Sequence, residues 1–505
     1  MAIRVSGLNS GLDTESIVSA LVSSYAVKKQ NVVKAQTKLS WKQDAWKDAN
    51  AKIYSLYTSL DNFRYEKSYN LKTATISDST KATISASNDA FTGSQTLEIT
   101  QVAQTSYLTG GKVSLSDSTD QVTSAKTMAD LGYTGEDTTL TLTVGTGDDA
   151  TTETIEITST TKISDIVNQL NEKGVKANFD TTQQRFYVNG AESGAAGDFS
   201  LSAEAGDATS ALNLLGLNTA ATGTAAAKKI TGQNAIITLN DVQYTSSTGT
   251  FSINGLNIQA LNKTDSAVTI NVQNDTQGLY DKIKDFFSNY NDVINELQAL
   301  YNADSAKGYE PLSDEEKDAM NDTQIEKWEK KIKDSLLRRD NTLGNIINTM
   351  TTSMAKTFTI DGENVGLGTF GIQTLGFLNA EKNEQYAYHI AGDADDESSS
   401  AKTDKLMAAL NSDPDKVASF FSQLTQNLYT ELDAKMKSTS MSSAYKVYND
   451  KEMASEYSDY TKQITKWEEK LQDMEDRYFK QFTAMEKALA QLNSSSSALT
   501  GMIGQ

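Results

Sequence analysis

At 505 residues the chain exceeds what one hydrophobic core ordinarily supports, so about two to four domains are expected. Its formal net charge of −20 repels nucleic-acid phosphate, and no basic stripe interleaved with aromatics offsets that, which argues against a nucleic-acid partner. No run of about 18 apolar residues is long enough for membrane insertion, and the absence of cysteine excludes disulfides and cysteine metal sites.

Hydrophobic residues make up 38% of the chain but are spread along all of it, so folded domains with long polar surfaces are expected. The start, MAIRVSGLNSGLD, lacks the apolar core of a cleaved secretory signal. Composition taken alone therefore points to the cytoplasm.

After a turn spanning Gly7 to Gly11, Asp13 or Thr14 can cap a helix. From there an apolar residue recurs every seventh position: Val18, Tyr25, Val32, Leu39, Trp46, Ile53 and Leu60. The companion row three residues further on is Leu21, Lys28, Ala35, Lys42, Ala49, Leu56 and Phe63, interrupted by lysines. A seam of this length is far longer than an ordinary globular helix needs.

Residues from about 73 to 275 read as β structure. Leu140, Leu142 and Val144 alternate with Thr, as Ile155 with Ile157 and Phe186 with Val188 alternate with polar residues. Asn254-Gly255 between two such runs is a hairpin signal. A helix interrupts, with Ile163, Ile166, Val167 and Leu170 on one face and Gly174 as its stop. The Ala/Gly/Thr stretch 216–229 reads as a linker between two β modules.

Helices return at about 276. Ser313 and Glu316 form a candidate capping box opening EEKDAMNDTQIEKWEKKIKDSLLRR. Gly366, Gly368 and Gly371 match the spacing of a dinucleotide-phosphate loop, but residues 372–390 read as strands instead of the helix that chemistry requires, so a turn is expected. His389, the single histidine, has no nucleophile elbow with it and cannot make a two-histidine zinc site. Asp393 to Glu397 lacks the glycine and distal glutamate of a calcium loop and reads as a solvated acidic loop. No enzyme and no cofactor are expected. Further on, Asp413 with Pro414 reads as cap and first helical residue.

The C-terminal segment carries a second seam: Tyr457, Tyr460, Ile464, Trp467, Leu471, Met474, Tyr478, Phe482, Met485, Leu489, Leu492, Ser496, Leu499 and Ile503. Two successive steps of four around Tyr478 make a stutter that should locally unwind a supercoil. The spans Val18–Leu60 and Tyr460–Ile503 are nearly equal, which suggests antiparallel pairing over their whole length, with Val18 near Leu499. The lysines of 28–52 would then lie near the acidic stretch 452–476. Two separate helices inside a compact bundle are the alternative, disfavoured because seams this long rarely serve one small core. The seam residues Val18, Tyr25, Val32, Leu39, Trp46, Ile53, Leu60, Ile464, Trp467, Leu471, Met474, Phe482, Met485, Leu489 and Leu492 are the candidate pairing and assembly interface.

Both ends, SGLNSGLDTESIVSALV (6–22) with WKQDAWKDANAKIYSL (41–56) and QFTAMEKALAQLNSSSSAL (481–499), resemble the hook-associated protein 2 family, the filament caps of the bacterial flagellum. EPLSDEEKDAM, IEKWEKKIKDSLLRRDNTL and TDKLMAALNSDPDKVASFF resemble the helical part of that family, and 140–202 is similar to an insertion module of flagellins and caps. The serine run Ser494 to Ser497 departs from the family, which often has Gln after the final Asn.

The resemblance implies an α+β multidomain fold with a long terminal antiparallel coiled coil, a helical-bundle leg domain and two inserted β-rich head domains. Expected boundaries are 1–40 with 460–505 for the coiled-coil stalk and 41–72 with 276–459 for the leg. The head domains are expected at 73–106 with 224–275 and, outermost, at 107–223. It also implies a secreted, extracellular protein at the distal end of the flagellum, exported without a cleaved signal, which overrides the cytoplasmic inference. Implied partners are further copies of the chain, commonly a pentamer, flagellin at the filament tip, an export chaperone and the hook-associated junction proteins. The implied function is retaining exported flagellin and promoting its folding and polymerisation for filament elongation. A surface adhesin whose head binds host glycans or mucin is the alternative.

Overall fold

The computed structural model describes residues 10–503 and divides into two units, Met1–Tyr69 with Thr276–Gln505, and Asn70–Asp275. Helix α1 (Thr14–Ser59) starts where the Asp13 carboxylate accepts the Ser16 backbone N–H at 3.0 Å, and it runs into a 3₁₀ turn at Leu60–Asn62. Of the turn expected at Gly7 to Gly11, residues 7–9 lie outside the described residues.

The unit Asn70–Asp275 is built from antiparallel sheets. Its first strands are β1 (Lys72–Ile76), β2 (Ala82–Ala86), β3 (Gly93–Gln101), β4 (Thr105–Thr109), β5 (Thr138–Val144) and β6 (Thr151–Ile157). Helix α2 (Ile163–Glu172), β7 (Val175–Asp180), β8 (Arg185–Ser193), β9 (Phe199–Ala203) and helix α3 (Asp207–Leu214) come next. The unit closes with β10 (Lys228–Ile230), β11 (Ala235–Leu239), β12 (Val242–Ser246), β13 (Thr250–Ile253), β14 (Leu256–Ala260) and β15 (Val268–Asn274).

A sheet ordered β1-β15-β3-β11-β12 and a smaller one ordered β13-β14-β2 share a core of Leu97, Ile99, Ile237, Phe251, Ile258 and Ile270. Asn254 and Gly255, at φ 47° and 80°, make the tight turn that joins β13 to β14, as two left-handed residues must in such a hairpin. A second module joins the sheets β10-β4-β8-β7 and β6-β5-β9 around Leu142, Ile155, Phe186, Val188 and Phe199. Ile163, Ile166 and Leu170 of α2 are fully buried there, and Gly174 leaves the helix at φ 93°. The stretch 216–229 is not a free linker. Leu217 and Ala227 are buried in the second module, and Lys228 opens a strand paired to β4, because the segment has apolar side chains to bury and a free strand edge to cover.

The helical unit continues with α4 (Thr276–Tyr301), α5 (Asp314–Asp318), α6 (Asp322–Asp334) and α7 (Asn341–Met354). Two small hairpins come after α7, β16 (Phe358–Ile360) with β17 (Glu363–Val365) and β18 (Ile372–Thr374) with β19 (Tyr388–Ile390). Helices α8 (Lys405–Ser412), α9 (Pro414–Met436) and α10 (Asp450–Ile503) complete the unit. Ser313 and Glu316 form the reciprocal cap of α5. The long helix expected after it is two helices, because Asn321 and Gln324 make a second reciprocal cap that restarts the backbone at α6. Asp413 caps α9 with Pro414 in its first turn.

The core of this unit is aromatic. Phe63, Phe286, Phe287, Phe370, Phe420 and Phe421 are each at most 7% exposed, with ring centroids 5.1 to 6.2 Å apart along the chain of contacts. Each such ring stabilises the fold by roughly 1.5–3 kcal/mol. One face of the base of α1, with Trp46, Ala49, Ile53 and Leu56, is buried in this unit, as is Leu60 of the turn after it.

Candidate functional site

The two terminal helices pair with each other. Partners run in opposite order: the Ser10 hydroxyl meets the Glu486 carboxylate, the rings of Tyr25 and Trp467 lie 6.4 Å apart, and Lys29 Nζ reaches Glu468 at 3.3 Å. Further down, Gln36 donates to the Thr461 hydroxyl at 2.7 Å. At the base the Asn50 side chain donates to the Tyr445 carbonyl at 3.2 Å and accepts the Val447 N–H at 2.9 Å. Trp46 stacks on Tyr448, 5.4 Å between centroids and 10° from parallel. The pairing is antiparallel throughout.

Its register differs from the one that equal seam lengths suggest. Val18 lies between Ser10 and Tyr25, so it faces the stretch between Trp467 and Glu486 and not Leu499. Leu492 and Leu499 are 64% and 58% exposed, on the C-terminal side of the Ser10–Glu486 contact. The Ile503 side chain lies outside the described residues. Equal length sets no register. The buried anchors Trp46 and Asn50 at the base do, since they tie α1 to the segment leading into α10.

Of the first row, Val18, Leu39, Trp46, Ile53 and Leu60 are buried, while Tyr25 and Val32 are half-buried. Of the candidate seam residues on α10, Met474 is buried, and Ile464, Trp467, Leu471, Phe482, Met485 and Leu489 are half-buried. The second row of α1 is displaced by one residue from the expected one. Val22 is buried, and Lys29, Gln36 and Asn50 make the contacts, whereas Leu21 and Lys28 are exposed. Ala49, Leu56 and Phe63 are buried for another reason: the body surrounds the base of α1.

The lysines of α1 also divide differently from the expectation. Among those whose ion pairs are described, Lys29 alone reaches α10. Lys34 pairs with Glu316 at 2.6 Å, Lys42 with Asp340 at 2.8 Å, and Lys52 with Glu296, so these tie α1 to α5, the cap of α7 and α4. Lys28 lies over the rings of Tyr25 and Trp467, at 5.3 and 5.9 Å. An interrupted row is thereby compatible with a paired helix. Asn50 and the buried Glu486 were not singled out by pattern, although a polar residue on an otherwise apolar face is the signal that marks them.

The remaining candidates resolve into structural roles. Gly366 to Gly371 forms a 3₁₀ turn closed by Gly371 at φ 73°, and it leads into strand β18, not into a helix. His389 Nδ1 lies 2.7 Å from Asp396 and 3.1 Å from the Ser398 hydroxyl, so both partners sit on one ring nitrogen, unlike a relay through the ring. The acidic loop is not freely solvated. Lys284 holds Asp393 at 2.7 Å and Asp395 at 2.6 Å, because Asp393 is only 8% exposed and needs a counter-charge. Burial raises the Asp396 pKa, but hydrogen bonds from Ser398, His389 and Ser399 outweigh it and hold the carboxyl at about 2.

Residues 232–494 match the family described as "Flagellar hook-associated protein 2 C-terminus", and residues 10–106 match its "N-terminus" counterpart. The chain is 23% identical to flagellar hook-associated protein 2 of Halalkalibacterium halodurans over 98% of this chain and 99% of that one. It is 29% identical to the A-type flagellar hook-associated protein 2 of Pseudomonas aeruginosa over 57% of this chain and 62% of the other. In fold it is similar to the crystal structure of the D1-D2-D3 domains of the flagellar cap protein FliD from Escherichia coli, with a TM-score of 0.50 and 20% identity over 79% of this chain and 96% of that one.

Proposed function

The chain belongs to the flagellar hook-associated protein 2 family, a family of flagellar cap proteins, and we propose that it caps the distal tip of the filament, retains exported flagellin and promotes its folding and addition. The role is structural, not catalytic. The partners are further copies of the chain in an oligomeric cap and flagellin at the filament end, with an export chaperone and the junction proteins met on the way. The protein acts outside the cell; among the described residues no helix is long and apolar enough to cross a membrane.

The observation that carries this reading is the unfinished burial of the paired terminal helices. Tyr25, Val32, Ile464, Trp467, Leu471, Phe482, Met485 and Leu489 remain half-buried, and Leu492 is exposed. Two helices shield each other on one side only, so these rows gain more when a third helix covers them. A helix from a neighbouring copy or a filament subunit suits that place, and a partly polar seam lets it be released again. In this reading residues 1–40 with 460–505 form the stalk, 41–72 with 276–459 the leg, 73–106 with 224–275 the inner head and 107–223 the outer head. The matches lend no support to the adhesin alternative.

The test is a full-length chain carrying Leu489→Asp and Leu492→Asp, returned to cells lacking the native gene. The protein should be secreted and folded while filaments fail to elongate and flagellin escapes into the medium. Filaments of normal length would refute the proposal.

A further inference from the structure

We propose that a basic groove beside α1 receives the acidic outer face of α10 from a second copy of the chain; this rests on the self-assembly in the reading above and names its contact surface. The groove has a volume of about 610 Å³ and is bordered by Lys38 and Lys42 of α1, Lys307 of the loop after α4, and Arg338 of the turn before α7. Lys42 is committed to Asp340, and Lys38 comes only within 3.9 Å of Glu310. Lys307 and Arg338 have no ionic partner among the described residues. Glu310 and Glu456 also border the groove, but in a chain of net charge −20 the two basic side chains without an ionic partner, beside two paired lysines, stand apart from the rest of the surface. The turn that bears Arg338 is also held against its own preference. Arg339 adopts φ 52°, a region that glycine or asparagine enters more readily, and its N–H is tied to the Tyr301 carbonyl at 3.0 Å.

The matching surface is on α10. Glu469, Asp473 and Asp476 succeed one another at helical spacing, and all three are exposed. They lie about 200° around the helix from Trp467, Leu471 and Met474, so they face away from α1. None of the three has an ionic partner among the described residues. The chain's own α10 cannot bring this strip to its own groove. Glu456 and Tyr460 already line the groove's edge, and the strip begins about nine residues further on, roughly 14 Å along a straight helix. A second copy displaced along the stalk brings acid to base, and because groove and strip are different surfaces the contact propagates head to tail, as a closed ring requires.

The test uses the full chain in three charge-reversed forms: Lys307→Glu with Arg338→Glu, Glu469→Lys with Asp473→Lys, and all four together. By analytical ultracentrifugation each double variant should weaken self-association by at least ~10-fold at low salt, and the quadruple variant should recover it. Because the chain has no cysteine, Lys307→Cys combined with Glu469→Cys should give a ladder of disulfide-linked oligomers under oxidation. Assembly that ignores the reversals, or is lost without recovery in the quadruple variant, overturns the groove assignment and leaves self-assembly intact, the groove then serving another acidic partner. A wild-type chain that stays monomeric at every concentration overturns both.

Discussion

Tyr25 and Trp467 meet across the terminal helices at 6.4 Å between ring centroids, with Lys470 4.9 Å from the indole on one helix and Lys28 5.9 Å from it on the other. Both rings are half-buried, so the contact stabilises the pair without sealing it. Removing either ring should cost ~1–2 kcal/mol, and a double-mutant cycle between Tyr25→Ala and Trp467→Ala should give a coupling of about 0.5–1.5 kcal/mol. Denaturant unfolding monitored by far-ultraviolet circular dichroism measures both, and zero coupling would mean that the rings do not meet in solution.

Asn50 should behave as the latch at the base of the pair. Its amide satisfies the Tyr445 carbonyl and the Val447 N–H while only 3% exposed. Asn50→Ala leaves both backbone groups unpaired and should destabilise the helical unit by about 1–3 kcal/mol. Hydrogen exchange at the Val447 amide should rise first. Unchanged protection there contradicts the latch.

Asp396 links stability to pH. Its carboxyl titrates at about 2 in the folded chain, against roughly 3.9 when unfolded, so the unfolded state binds more protons between these values. The stabilisation is complete above pH 4 and is lost as the pH falls through about 2. With solvent screening it amounts to about 1 kcal/mol. The difference in unfolding free energy between wild type and Asp396→Asn should therefore shrink between pH 4 and pH 2; a constant difference across that range contradicts the assignment.

Met474 and Leu492 should separate folding from assembly. Met474 is 8% exposed within the helix pair and Leu492 is 64% exposed beyond it. Met474→Ala should lower the melting temperature, at about 2 kcal/mol or more, whereas Leu492→Ser should stay within about 0.5 kcal/mol of wild type. In cells the second change should nevertheless shorten filaments. Equal filament lengths would show that Leu492 has no partner at the tip.

Much of the local structure was legible from residue order. Asp13, the Ser313–Glu316 box, Asp413 with Pro414, and Asn254-Gly255 all act through contacts within three or four residues, so their meaning survives without the rest of the chain. The seven-residue period likewise marked two long helices with apolar faces. It did not mark which neighbouring row would meet α10. The row of Val22, Lys29 and Gln36 turns toward it, while Leu21 is exposed and Lys28 reaches it only through its ammonium over the Trp467 ring.

The sequence by itself therefore determined the helix starts at Asp13, Ser313 and Asp413, the hairpin turn at Asn254-Gly255 and the main apolar row of each terminal helix. Tertiary structure alone decided the register of the pair, the division of the α1 lysines between α10 and the body, and the capture of 216–229 by the second β module. The physical reason is that a repeat is unchanged by sliding one helix along another. Register needs an anchor that does not repeat, and here the Trp46 and Asn50 contacts supply it through residues far away in the chain.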